Sequence, residues 1–137
     1  MSLHNYGPDS FVLTINSRVI TDFGETASPF QDAPIDAKRQ VRRGQGGRAV
    51  RLDRINPGRS VNVYLNPGSP DSAYLQALYK SGGQITLAYQ QVGTLESAVG
   101  TEGVVTNDAA NNRAGTTISD DQYTLEFNTW TALKGGD

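Results

Sequence analysis

The residues that usually carry chemistry are scarce in this chain. Among 137 residues there is one histidine, His4, and no cysteine. Thiolate nucleophiles, His/Cys nucleophile–base pairs, disulfides and zinc sets of Cys and His therefore have no material to be built from. Asp120 and Asp121 are adjacent carboxylates, but neighbours in sequence inside a turn-rich stretch suit a turn better than an acid–base pair. The residue types of a carboxylate-only glycoside hydrolase are present. The run Gly44-Gln-Gly-Gly47 has the glycines of a phosphate loop, yet no helical pattern follows it to supply the N–H groups that would hold a phosphate. No catalytic residue, cofactor site or metal site is expected, and the chain reads as a non-enzyme.

What the sequence does concentrate is charge. Lys38, Arg39, Arg42, Arg43, Arg48, Arg51, Arg54 and Arg59 are eight of the twelve basic residues. From Val92 onward seven acids stand against Arg113 and Lys134, although the formal net charge is only −2. Solvated loops would explain both runs. Two complementary surfaces on one subunit would explain them as well, and would favour head-to-tail self-association. The basic window could neutralise phosphates. It has no interleaved aromatic residues for stacking on bases, and no helix-turn-helix or finger pattern accompanies it.

The elements that must position these charges are mostly short strands in a single domain spanning 1–137. Residues 1–10 read as a lead-in with neither signal peptide nor membrane span, so synthesis as a soluble cytoplasmic protein is expected. Phe11, Leu13 and Ile15 alternate, and Asn16-Ser17 is a tight turn returning as 18–23. Residues 25–47 read as a long basic loop or arm, since Pro29, Pro34 and three glycines interrupt regular patterns; Ile35, Ala37 and Val41 could seed one short strand. A second hairpin is expected from 48–55 and 60–65, turned by Asn56-Pro57-Gly58-Arg59, with Val50 and Leu52 facing one way and Val61, Val63 and Leu65 inward. Ile85, Leu87 and Tyr89 alternate in the next strand, and 93–106 holds one or two weaker ones. Residues 107–121 form a turn-rich loop. The final strand, 122–133, puts Tyr123, Leu125 and Phe127 on the core face; Trp130 is out of phase with them. Either a bulge shifts the pattern or Trp130 faces a partner.

One helix is expected, about 69–82. Ser69 caps it, Pro70 fits its first position, Asp71 and Lys80 match the ends of its dipole, and Gly82 or Gly83 ends it. Tyr74, Leu75, Leu78 and Tyr79 share its apolar face, while Ser72, Gln76 and Lys80 are expected on a face free for a neighbour. Three turns of helix are marginal alone, so the apolar face must lie on a sheet. The fold class is thus mainly β, an antiparallel sandwich or barrel with a single flanking helix and long assembly loops.

The order of these parts resembles the tail tube proteins of contractile-tailed bacteriophages. The residues that carry the likeness are 12–23, the segment Leu65-Asn-Pro-Gly-Ser-Pro-Asp-Ser-Ala-Tyr-Leu-Gln-Ala-Leu-Tyr79, and the strand 85–89. The resemblance implies a subunit of hexameric rings that stack into a hollow tube, through which double-stranded DNA leaves the capsid without sequence-specific binding. It implies a virion tail location and, as partners, further copies of the chain, a sheath protein, a baseplate and a tail terminator. Haemolysin-coregulated protein of type VI secretion is similar in fold, and a tube of that kind is an alternative. On this reading Lys38, Arg39, Arg42, Arg43, Arg48, Arg51 and Trp130 are candidates for the contacts between subunits or rings. The lumen is expected to be lined by acidic or neutral side chains. A monomeric carbohydrate-binding sandwich is the alternative from another class, with Tyr64, Tyr89 and Trp130 as surface aromatics.

Overall fold

A computed structural model describes residues 10–134. The lead-in with His4, and the last three residues, lie outside the described residues. Nine strands and one helix follow in the order β1 (Phe11–Ile15), β2 (Arg18–Ile20), β3 (Phe30–Pro34), β4 (Arg39–Arg43), β5 (Ala49–Asp53), β6 (Arg59–Leu65), α1 (Pro70–Ser81), β7 (Ile85–Gln91), β8 (Ser97–Val105) and β9 (Asp121–Leu133). Seven strands form one antiparallel sheet in the order β2-β1-β7-β8-β9-β6-β3, while β4 and β5 pair only with each other. The sheet curls on itself. Beyond β2, Phe23 bridges to Leu65 at the end of β6, with Gly24 N–H donating to Tyr64 O at 2.9 Å and Asn66 N–H to Asp22 O at 3.1 Å.

Alternation places Leu13, Ile15, Val61, Val63, Leu65, Ile85, Leu87, Tyr123, Leu125 and Phe127 in one core. The first hairpin turns at Asn16-Ser17, both at positive φ, as the sequence predicts. The helix lies against β8. Its cap is the expected one: Ser72 N–H donates to Ser69 Oγ at 3.1 Å, and Gly82 closes the C-terminus at φ 66°.

The second hairpin is not the one the Asn-Pro-Gly signature predicts. Residues 48–55 do not fold back on 60–65; β5 pairs with β4, and β6 pairs with β3 and β9. Gly58 does take a positive φ, but it serves a bend inside a descending strand rather than a reversal. Ile35 N–H to Gly58 O at 3.2 Å and Asp36 N–H to Pro57 O at 3.0 Å continue the β3–β6 ladder toward β4–β5. The stretch expected as a loop at 25–47 therefore contains two strands, and 30–65 is one long bent hairpin. The reversal comes at the tip, where Gly44 N–H donates to Arg48 O at 2.8 Å and Gly47 takes φ 83°.

A bulge resolves the phase of Trp130. Pairing between β7 and β8 slips between Ile85 and Leu87, where Glu102 of β8 has φ 56°. The inward residues of β8 accordingly change from Ala98 and Gly100 to Gly103 and Val105. Strand β9 stays in register with β8, Gly100 opposite Trp130 and Gly103 opposite Phe127, so its pattern shifts in step. Both glycines make room for rings: a Cβ on Gly103 would lie 2.2 Å from Phe127 Cδ1, and one on Gly100 2.6 Å from Trp130 Cε3.

Candidate assembly surface

The arm formed by β4 and β5 carries most of the predicted interface residues. Every residue from 33 to 56 is exposed. In an antiparallel ribbon, directly opposed residues share a face. The pairs Arg39–Asp53, Val41–Arg51 and Arg43–Ala49 lie on one face, and Gln40–Leu52 and Arg42–Val50 on the other. Lys38 is not part of either face: its Nζ donates to Arg54 O at 3.0 Å and stitches the base of the arm. Arg51 Nε meets Asp53 Oδ1 at 3.0 Å, and Arg39 Nε approaches the same oxygen at 3.9 Å. These exposed pairs contribute about 0–1 kcal/mol each. Arg42, Arg43 and Arg48 make no ion pair among the described residues.

The arm also exposes aliphatic area: Val41 is 61%, Val50 52%, Leu52 47% and Ile55 90% exposed. Between Asp36 and Arg54 it holds seven bases and two acids, whereas the other described residues hold ten acids and five bases. The charge division legible in the sequence is thus a division between a projecting arm and a compact body.

A cleft of about 280 Å³ opens at the root of the arm, lined by Ile35, Asp36, Asn56, Pro57, Gly58, Glu126, Phe127 and Asn128. On the core-distal face of the sheet, Thr14, Ala88, Val99 and Thr131 form one row across β1, β7, β8 and β9. Val12, Gln90, Ser97 and Leu133 form the next. Neither row holds a charge.

Helix α1 is bound more fully than the sequence predicts. Leu75 is buried and Tyr74, Leu78 and Tyr79 are half-buried against the core, with the Arg18 guanidinium 5.0 Å from the Tyr74 ring centroid. Ser72 is buried and not free for a neighbour, whereas Gln76 stays half-exposed. Ser72 Oγ donates to Asp121 Oδ2 at 2.5 Å, Tyr123 OH donates to Ser72 O at 2.8 Å, and Arg113 pairs with Asp121. Burial, reinforced by the Asp121 charge, raises the Tyr123 phenol above its ordinary value despite the Ser72 contact. The exposed residues of the helix are Pro70, Ala73, Ala77, Lys80 and Ser81.

Asp71 does more than complement the helix dipole. Buried at the first turn, it accepts from Arg18 Nε at 3.0 Å, Thr21 N–H at 3.0 Å and Asp22 N–H at 3.1 Å. Burial works against its charge, but these donors outweigh burial and hold the carboxyl below its ordinary value. No short-range signal marks this role, because its partners lie some 50 residues upstream.

Trp130 packs inward. Its ring lies 5.8 Å from Phe127 and 6.4 Å from Tyr89 by centroids, under the Arg59 guanidinium at 5.5 Å. Of the three aromatics that a glycan platform would need on the surface, Tyr89 is buried, and Tyr64 and Trp130 are only partly exposed. Among the described residues no group of three or more His, Asp or Glu side chains could hold a metal ion, and no helix is long and apolar enough to cross a membrane.

No family model and no curated protein matches the sequence. Solved structures do match the fold. The chain superposes on a chain from the anti-feeding prophage tube-terminating cap with a TM-score of 0.59 and 13% identity, covering 97% of this chain and 93% of that one. A chain from the six-fold symmetrised baseplate of the same particle gives 0.57 and 10%, covering 97% of each. The sheath–tube complex of an extracellular contractile injection system, PVC, gives 0.54 and 11%, covering 90% of this chain and 87% of that one. The chain shares its fold with these chains. A resemblance read first from hairpins and a capped helix is therefore a resemblance in three dimensions, at identities where only the fold is informative.

Proposed function

We propose that this protein is a structural subunit of a contractile-tail tube, forming hexameric rings that stack into a hollow tube for DNA passage. The observation that carries this reading is the basic arm projecting from an acidic body. A surface and its complement on the same chain give a heterologous contact, which repeats head to tail and generates a ring where its rotation closes or a filament where it does not. The fold likeness to chains from tube-terminating, sheath–tube and baseplate assemblies supports the same role. So does the pair of uncharged rows on the sheet, a wall suited to a lumen because it offers a polyanion no cation to hold it. Sheath, baseplate and terminator are the further partners, and the virion tail is the location.

Electron microscopy of the purified protein, with sedimentation across concentration, tests this. Six-fold rings and tubes are expected. A species monomeric at every concentration would sink the reading, and glycan binding by that monomer would favour the carbohydrate-module alternative.

A further inference from the structure

The arm has two chemically different faces: one sets two aliphatics beside a single cation, the other a single valine among three arginines. Gln40, Arg42, Val50 and Leu52 present two aliphatic side chains beside one cation. The cleft is lined by the apolar Ile35 and Pro57 and by two acids, Asp36 and Glu126, of which Asp36 lies 4.0 Å from Arg54 Nη1. Apolar area covered on docking, with a cation brought to two acids, makes the pairing both favourable and oriented.

We propose that the arm of one copy seats its Arg42–Val50–Leu52 face in the root cleft of a second copy. This deepens the assembly reading above and rests on it. The occupant must be another molecule. The arm is a paired ribbon that starts at the cleft, so Arg42, six residues beyond Asp36, stands about 20 Å away from it at strand rise. A ribbon held by its own ladder cannot fold back over that length. The body's acidic excess against the arm's basic excess selects a copy of the same chain as the partner. The opposite face, with Arg39, Arg43 and Arg51, stays outside the contact.

Because the chain has no cysteine, a pair can be introduced cleanly. In Val50→Cys/Glu126→Cys the two sites on one chain are too far apart for a disulfide, which needs Cα atoms within about 7 Å. Oxidation of assembled protein is expected to give a ladder of covalent multimers, with neither single variant producing one. In parallel, Arg42→Glu is expected to raise the concentration needed for assembly about tenfold, with Arg42→Glu/Glu126→Arg restoring it. Particles that assemble normally yet yield only monomer on oxidation, or an Arg42→Glu defect that the charge swap leaves untouched, would overturn the docking site while leaving the tube reading intact. Wild-type protein that never assembles would remove both.

Discussion

At the scale of single residues, the body is held by groups whose partners are distant in sequence. Asp71 ties the helix to the chain leaving β2 through three donors. Its folded value lies below its unfolded one, so its contribution is fully present above the unfolded value, about 3.8, and is lost as pH falls through the folded one. Asp71→Asn should cost about 1–3 kcal/mol at pH 7, since it removes the charge from a buried set of hydrogen bonds. Urea titrations should show the gap to wild type narrowing as pH drops below 4; a gap constant down to pH 2 would contradict the assignment. Gly103 offers a steric counterpart. With a Cβ 2.2 Å from Phe127 Cδ1, Gly103→Ala should destabilise by about 1–3 kcal/mol. Adding Phe127→Leu should recover part of that loss, because the two residues face each other across β8 and β9.

At the scale of elements, the arm and the body are separable. None of the residues from 33 to 56 is buried, and an isolated two-stranded ribbon is marginal in water. Replacing 37–54 by a short Gly-containing turn should leave the urea midpoint of the monomer nearly unchanged while abolishing rings in micrographs. A large fall in the midpoint would mean that the arm stabilises the body. The same separation explains what could be read from the sequence. Period-two alternation fixed the inward faces of β1, β6, β7 and β9, and Ser69, Pro70 and Gly82 marked the helix, because those signals are local. The pairing of β4 with β5 was not legible: Val50 and Leu52 alternate as a core strand does, yet no core lies beneath them. Asn56-Pro57-Gly58 supplied a real positive φ at Gly58, but a turn signature states only local dihedrals. Which strands meet afterwards depends on β3, whose Phe30-Gln-Asp-Ala-Pro34 has no strong strand pattern. Trp130 required the Glu102 bulge, and the Asp71 anchor required the fold itself. Of the candidate interface, the clustering of basic residues was legible in the sequence; the ribbon that carries them was not, nor was the root cleft, because it joins residues near 35, 57 and 127.

At the scale of the whole molecule, charge and aliphatic area propose different driving forces for the same contact, and salt separates them. Opposite charges on arm and body attract through a range set by the Debye length, about 10 Å at 0.1 M ionic strength and about 3 Å at 1 M. Apolar burial has no such range and is strengthened by kosmotropic salts. Reversal of Arg42 and Arg43 to glutamate should block assembly and leave the far-ultraviolet spectrum and urea midpoint of the monomer unchanged, because neither side chain makes an ion pair among the described residues. Normal tubes from that double variant would remove the arm's charge from the contact. If charge dominates, raising sodium chloride from 0.1 to 1 M should shift wild-type rings toward monomer in sedimentation, with Leu52→Ser a minor perturbation. If Val50 and Leu52 dominate, sulfate should promote rings and Leu52→Ser should be the damaging change. Val50 and Leu52 lie beside Arg42 on one face while Val41 lies among Arg39, Arg43 and Arg51 on the other, so the expectation is intermediate and specific. Salt should weaken assembly without abolishing it, and Leu52→Ser in 1 M sodium chloride should give monomer alone.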